Sequence, residues 1–145
     1  MGRRRLAREI ALQALYVADV SHTPAEDAFA VVTRREGEKV DEETIVFSRE
    51  LTLGTLARVE ELDAIIQGSA QNWAVNRMAA VDRNVIRLAA YELVARPDTP
   101  VGVIIDEAIE IVRKYSTEEA TRFVNGVLDA LKTLRAGPKP KPKKG

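Results

Sequence analysis

Apolar residues recur every three to four positions along nearly all of residues 3–135, and this spacing constrains the fold more than any other feature. Glycine and proline interrupt the pattern at intervals, most clearly in the turn at residues 96–100, which contains two prolines. A chain of 145 residues, 46% of them hydrophobic, is long enough for one sizeable core. The sequence therefore predicts a compact all-α domain of six or seven helices.

Capping signals and breaks in the pattern set the expected helix limits. The first helix begins near Arg3, and a Thr-Pro-Ala-Glu start at residues 23–26 predicts a second helix ending near residue 35, before Gly37. Asp41 is expected to cap one long helix that continues to residue 66. The remaining predicted elements are a short turn at 73–77 and helices over about 81–95, 103–115 and, after a capping box at 116–119, 117–134.

Charge divides the chain unevenly, although the formal net charge is zero. Residues 1–20 carry a net charge of +2 and residues 136–145 carry +4, whereas residues 21–135 carry −6. The Pro/Lys-rich segment 136–145 lacks the apolar residues of a core, so we expect a disordered tail after a folded domain at 1–135. Basic ends on an acidic body favour a polyanion bound locally and another protein bound elsewhere.

Few residues offer catalytic chemistry. The chain has no cysteine, one histidine (His22, in a polar connection) and no glycine-rich phosphate loop, so nucleophile, metal and nucleotide-cofactor patterns all fail. Three carboxylates at Asp106, Glu107 and Glu110 fit a solvated helix face better than an acid/base pair. Without a secretory signal pattern or a membrane-length apolar run, a cytoplasmic location is expected.

Two segments more than a hundred residues apart place cations beside an aromatic ring. This combination binds unpaired nucleic-acid bases by stacking while neutralising phosphates. The candidate RNA-binding residues are Arg3, Arg4, Arg5, Arg8 and Tyr16 on the first helix, with Arg122, Phe123 and Asn125 on the last. On the first helix, we expect the side bearing Arg5, Glu9, Leu12 and Tyr16, with Arg8 beside them, to be exposed.

The alternative is that both rings belong to the core and that the arginines only aid solubility. Asn125-Gly126 within the apparent last helix favours the RNA interpretation. Glycine weakens a helix and admits a close neighbour or a ligand backbone.

The sequence resembles the NusB family of transcription antitermination factors over almost its whole length. Four segments, in order and at family-like spacing, carry the resemblance: AREIALQALY at 7–16, the stretch 73–93 with its VDRNVIRLAAYEL run, IDEAIE at 105–110 and RFVNGVLD at 122–129. The resemblance implies two small helical bundles packed together, an RNA-binding face, no cofactor and no enzymatic activity.

The same resemblance implies binding of boxA RNA in ribosomal RNA leader transcripts, jointly with NusE, a small-subunit ribosomal protein. Together with other Nus factors, this complex makes RNA polymerase resist termination. By position, the basic helix, Tyr16, Phe123 and Asn125 match the RNA-contacting regions, while Asp82, Arg83 and Glu92 fall where the family meets NusE. The free protein is either a monomer or a homodimer. A helical protein-binding adaptor without RNA affinity is the competing hypothesis.

Overall fold

The computed structural model describes residues 2–36, 40–70 and 72–136, and all the regular structure in these ranges is helical. Gly37 and the predicted disordered tail, apart from Ala136, therefore lie outside the described residues. The helices are α1 (Arg3–Val20), α2 (Ala25–Glu36), α3 (Glu42–Ala57), α4 (Val59–Ser69), α5 (Ala80–Ala95), α6 (Val101–Tyr115), α7 (Glu118–Leu131) and a single turn, α8 (Thr133–Ala136), with a 3₁₀ turn at Val75–Arg77. The all-α prediction is confirmed.

Helices α1, α2 and α3 pack on one another as the first of two small bundles. Its own apolar contact is formed by Ile10 and Ala14 of α1 against Phe29 and Val32 of α2, all four of which are buried. Because α1 also packs on α5, one helix belongs to the cores of both bundles. This double contact explains why α1 is apolar on most of its sides.

The second bundle surrounds α5, which contacts α4, α6, α7 and α8. Its core includes Ile86 and Leu93 of α5 with Leu128 of α7, and each of these side chains is fully buried or nearly so. Helix α3 approaches α5 closely at Gly54, where a Cβ atom would overlap the ring of Tyr91. Any larger residue at position 54 would have to displace the Tyr91 ring from this contact between the bundles.

The long helix predicted to run from Asp41 to Ile66 is instead two helices, divided at Arg58. The break is where the chain passes from one bundle to the other, since α3 packs mainly on α1 whereas α4 packs on α5 and α7. The apolar spacing continues across it because both helices bury one face, and neither glycine nor proline marks the position.

The capping predictions had mixed outcomes. Asp41 caps α3 as expected, accepting a hydrogen bond of 2.8 Å from the backbone N–H of Thr44. For α7, however, the cap is Thr117, whose hydroxyl accepts from the N–H of Ala120. The predicted box at residues 116–119 is therefore wrong, because the third helical residue is an alanine rather than Glu119.

Candidate nucleic-acid interface

A buried ion pair fixes α1 against α5. The Arg8 guanidinium donates two hydrogen bonds of 2.8 Å to the carboxylate of Glu92, and the two side chains are only 3% and 2% exposed. Both residues were predicted at surfaces, Arg8 against RNA and Glu92 against NusE. Their burial contradicts direct contact with either partner, since each side chain is already occupied by the other.

The basic helix is also attached to α6. Arg5 donates hydrogen bonds of 3.0 and 2.6 Å to Glu107, and this guanidinium holds the pKa of the Glu107 carboxyl below its usual value. One turn further along, Glu9 accepts hydrogen bonds from Lys114 at 2.7 Å and from the Tyr115 hydroxyl at 2.6 Å. These two pairs lie between helices that are a hundred residues apart in sequence.

The side of α1 predicted to be exposed is therefore mostly covered. Glu9 and Leu12 are buried with Arg8, and Arg5 is half-buried, whereas Tyr16 remains 41% exposed. The helical period placed these residues on one side correctly. It did not reveal that α5 and α6 pack against the same side.

The amino-terminal end of α1 borders a groove of about 710 Å³, which we call the arginine groove. The guanidinium of Arg4 lies 4.3 Å from the ring centre of Phe47, and that of Arg96 lies 4.8 Å from the same ring. Aromatic rings attract cations in this arrangement. The lining of the groove consists of Gly2, Arg4, Arg5, Arg8, Arg96, Asp98, Thr99, Pro100, Val103 and Glu107.

The side chain of Arg3, the residue before Arg4, is 70% exposed, and its Nη1 lies 3.4 Å from Oε2 of Glu43 and 3.6 Å from Oδ2 of Asp41. Exposed ion pairs of this kind contribute little to stability and exchange readily with water. Arg3 and Arg4 therefore remain accessible to a polyanion, unlike Arg8.

Tyr16 lies in an open groove of about 360 Å³ between α1, α2, α5 and α6, which we call the tyrosine cleft. Val81 and Tyr115 line it from the opposite side. Burial, together with the hydrogen bond to Glu9, raises the pKa of Tyr115 above its usual value. The cleft therefore presents the phenol rings of Tyr16 and Tyr115 to a ligand.

Phe123 forms a second aromatic site with Trp73. The two ring centres are 5.9 Å apart with an interplanar angle of 69°, an edge-to-face arrangement, and Trp73 is 54% exposed. Such an exposed indole next to a second ring is a stacking surface for a base. This tryptophan cleft, of about 340 Å³, is lined by Trp73, Arg77, Met78, Ala79, Asp82, Thr117, Glu119, Ala120 and Phe123.

The two clefts adjoin at the start of α5, where Val81 lines one and Asp82 lines the other. They also share the corner between α6 and α7, through Tyr115 and Thr117. The clefts that contain Tyr16 and Phe123, which were predicted from distant segments, thus draw lining residues from the same two parts of the fold. The arginine groove lies further away, because Tyr16 comes twelve positions after Arg4 on the same helix, about 18 Å along α1.

Arg122 and Asn125 are exposed on α7, on either side of the partly buried Phe123. Helix α7 continues without interruption through Gly126, where an added Cβ would meet nothing within 4 Å. The expectation that this glycine admits a close neighbour finds no such neighbour among the described residues. The space remains open to a ligand.

The other two residues expected at the NusE surface are also largely covered. Arg83 donates hydrogen bonds to Asp19, at 2.9 and 2.6 Å, and to the carbonyl of Met78 at 2.8 Å. Burial raises the pKa of Asp19, but hydrogen bonds from Arg83 and Asn84 outweigh it and leave this pKa below its usual value. Asp82 is 6% exposed, and its Oδ1 has no hydrogen-bond partner among the described residues.

The remaining acidic residues do not assemble into a reactive centre. Glu107 pairs with Arg5, Glu110 pairs with Arg113, and Asp106 faces solvent. Across residues 2–36, 40–70 and 72–136, no group of three or more His, Asp or Glu side chains is arranged to hold a metal ion. His22 is exposed and adopts a φ of 51° in the turn that ends α1, a conformation that histidine tolerates. Nor does any helix in the described ranges combine the length and apolar character needed to cross a bilayer.

Fold and surface together define a two-bundle helical protein that presents arginines at one end of α1 and adjoining aromatic clefts near the other. The NusB family model matches residues 5–133, and the chain belongs to the NusB family. A transcription antitermination protein NusB from Elusimicrobium minutum is 46% identical over 138 residues, covering 93% of this chain and 96% of that protein.

Two solved structures have the same fold. NusB from T. maritima is 34% identical, with a TM-score of 0.82 and 92% of each chain covered. The structure of antitermination factors NusB and NusE in complex with double-stranded RNA includes a chain that is 28% identical, with a TM-score of 0.83; the match covers 90% of this chain and 96% of that one. The predicted family and the two-bundle architecture are thus confirmed.

Proposed function

We propose that this protein is an RNA-binding transcription antitermination factor. It binds boxA RNA of ribosomal RNA leader transcripts together with NusE and, with other Nus factors, helps RNA polymerase resist termination. The observation that carries the proposal is the pair of aromatic clefts, one containing Tyr16 and the other the Trp73–Phe123 pair. The role is regulatory and involves no catalysis.

The clefts supply the stacking surfaces that unpaired bases require. Base–aromatic stacking contributes about 1 to 3 kcal/mol per base and is available to every base. Tyr16 and Phe123, which the sequence indicated, are joined by Trp73, whose exposed ring extends the surface. Arg77 lines the same cleft and places a cation next to the stacked base.

Phosphate contacts are assigned to the accessible cations, Arg3, Arg4 and Arg122, and Asn125 offers an exposed amide to a base or sugar. Arg5 and Arg8 act differently. Their ion pairs with Glu107 and Glu92 hold α1 in place, so they position the binding surface instead of contacting the RNA.

NusE is proposed to bind near the start of α5. The acidic balance of residues 21–135 suits a basic ribosomal protein, and complementary charge mainly accelerates association. The NusB relative solved with NusE and RNA supports this pairing. Asp82 and Arg83 lie near this surface but are mostly buried, so in this proposal they stabilise the surface that NusE contacts. Glu92 is buried beneath it and does not contact NusE.

A gel-shift titration with boxA RNA, with and without NusE, tests the proposal against the adaptor alternative. A scrambled RNA of equal length is the matched control. Three phosphate contacts predict a log-log salt slope of about −2 for the protein alone. NusE should increase the affinity for boxA more than for the scrambled RNA. NusE binding without any RNA affinity, in the presence or absence of NusE, would favour the adaptor.

A further inference from the structure

The carboxylate of Asp82 is buried in a way that the fold alone does not explain. The residue is 6% exposed, and its Oδ1 is buried without a hydrogen-bond partner among the described residues. The other two buried carboxylates are both satisfied, since Glu9 accepts two hydrogen bonds from α6 and Glu92 accepts two from Arg8. A buried acceptor without a donor loses its hydration and gains nothing in return. Asp82 therefore offers a binding capacity that the described part of the chain leaves unused.

The position of Asp82 in its helix accounts for only part of this burial. It lies in the first turn of α5, which starts after Ala79 without a side-chain cap. The helix dipole favours a negative charge at this end and so offsets some of the cost. It brings no donor to Oδ1, however. An acceptor remains to be satisfied by a group from outside the fold.

Asp82 lines the tryptophan cleft, whose walls also include Trp73 and Phe123. These two rings are in edge-to-face contact, and Trp73 is exposed to a ligand. The cleft volume of about 340 Å³ is within the range of pockets that hold small molecules. A base held on the rings thus has a carboxylate in the wall of the same cleft.

The other polar side chains of the cleft leave a shortage of donors. The hydroxyl of Thr117 already caps α7, where it accepts from the N–H of Ala120. Glu119 adds a second carboxylate, and Arg77 is exposed at the edge of the cleft, where it suits a phosphate. A ligand that carries adjacent N–H donors therefore complements this wall.

The four RNA bases differ in what they present to a carboxylate, which only accepts hydrogen bonds when it is ionised. Guanine has two adjacent donors, N1–H and the exocyclic amine, on its Watson–Crick edge. Uracil has one donor between two carbonyl oxygens, and in adenine and cytosine the amino group adjoins a ring nitrogen that accepts. Since these acceptors are repelled by a carboxylate, guanine is the best partner.

We propose that Asp82 selects guanine in the tryptophan cleft. The base stacks on Trp73 and Phe123 while the Asp82 carboxylate accepts hydrogen bonds from its Watson–Crick edge, and Arg77 binds the adjoining phosphate. The inference rests on the proposed RNA-binding function. It adds the base that this cleft takes and the residue that recognises it.

The test varies boxA RNA one position at a time through all four bases and measures each Kd by competition gel shift. For the unaltered chain, one position should bind guanine roughly 5- to 150-fold more tightly than uracil. Asp82→Asn keeps the shape of the side chain but turns an amino group towards the guanine amine, so this ratio should fall to near one. Asp106→Asn is the matched control, because Asp106 is exposed on α6 outside the cleft, and it should keep the ratio.

Inosine at the selected position removes the exocyclic amine and keeps the rest of the guanine edge. It should cost the unaltered chain about tenfold in affinity and leave Asp82→Asn unaffected. Comparing two RNAs on the same variant makes the result independent of any change in stability, and thermal melting checks that each variant is folded. An abasic nucleotide at the same position should remove the effect of RNA on Trp73 emission, which places the base in this cleft.

Three results would overturn the inference and leave the proposed function intact. In the first, no position shows a guanine preference that depends on Asp82. In the second, Asp82→Asn weakens binding of every RNA equally, as a purely structural role predicts. In the third, Asp82→Asn weakens NusE binding and keeps the guanine preference, because the missing donor then belongs to NusE. Failure of the unaltered chain to bind RNA, with or without NusE, would instead refute the proposed function, and the inference with it.

Discussion

The buried pair between Arg8 and Glu92 yields the sharpest prediction about stability. Replacing Glu92 by alanine removes two hydrogen bonds of 2.8 Å and leaves the Arg8 guanidinium inside the protein, where the nearest remaining carboxylate oxygen belongs to Glu107 at 3.9 Å. Removing one partner of a buried ion pair typically costs about 3 to 5 kcal/mol, because the other charge stays buried without compensation. We expect Glu92→Ala to lower the free energy of unfolding by that amount.

The origin of this loss can be separated from the loss of side-chain volume. Replacing both partners with apolar residues, as in Arg8→Met with Glu92→Leu, removes the stranded charge and should recover most of the stability. Glu43→Ala is the matched control, because Glu43 pairs with Arg3 at the surface and the two side chains are mostly exposed. It should change the free energy of unfolding by less than about 1 kcal/mol.

Urea unfolding followed by circular dichroism measures these differences. For a domain of this size, a loss of 3 to 5 kcal/mol corresponds to a melting temperature lower by about 6 to 20 °C. The reasoning is refuted if Glu92→Ala behaves like Glu43→Ala. It is also refuted if the protein keeps its stability and loses only RNA affinity, since Arg8 would then be an RNA contact.

Five further substitutions probe the interface and its supports. Alanine at Tyr16 or Phe123 should weaken RNA binding by about 1 to 3 kcal/mol with little salt dependence in filter-binding assays, and wild-type affinity in both folded variants would make the rings packing residues. Glu119→Gln removes a carboxylate from the tryptophan cleft, so RNA should bind more tightly, most of all at low salt. The free energy of unfolding should fall by about 0.3 to 1 kcal/mol, because the favourable interaction of the carboxylate with the helix dipole is lost. Weaker RNA binding at low salt would contradict this prediction. Gly126→Ala should raise the free energy of unfolding by about 1 kcal/mol, because the added methyl group meets nothing, and reduced RNA affinity would then locate a ligand against α7. The arginine partner of Glu107 lowers the pKa of its carboxyl. This ion pair therefore stabilises the fold above the ordinary glutamate pKa, and the stabilisation is lost as the pH falls through the lowered pKa of the folded state. Glu107→Gln should flatten the acid limb of the curve of unfolding free energy against pH, and an unchanged limb would exclude this linkage.

Local sequence patterns were sufficient for most of the helices but not for the contacts between them. The apolar period and the Asp41 cap depend on neighbouring residues, so they were readable directly. The division at Arg58 was not, because it follows from where α3 and α4 pack and no turn residue marks it. The apolar spacing continues unchanged where the chain passes from α3 in the first bundle to α4 in the second.

The site shows the same limit. Tyr16 and Phe123 were identified because each lies beside arginines in sequence, whereas Trp73 lies in a connection without periodicity, and its partner Phe123 is fifty residues away. Arg8 was assigned to RNA because its neighbours are basic, and the acid that neutralises it, Glu92, is 84 residues distant. The sequence did offer one signal that Arg8 is buried, because this residue lies on a helix that is apolar on most of its sides.

The chain contains one tryptophan, and Trp73 lies in the cleft proposed to stack RNA bases, so its fluorescence tests the central claim most directly. Titration with boxA RNA should change Trp73 emission saturably, with the same Kd as the gel shift, because a stacked base alters the surroundings of a half-exposed indole. Phe123→Ala should weaken this change in parallel with RNA affinity. Tight RNA binding with no change in Trp73 emission would contradict the account, since the RNA would then be bound away from the aromatic clefts.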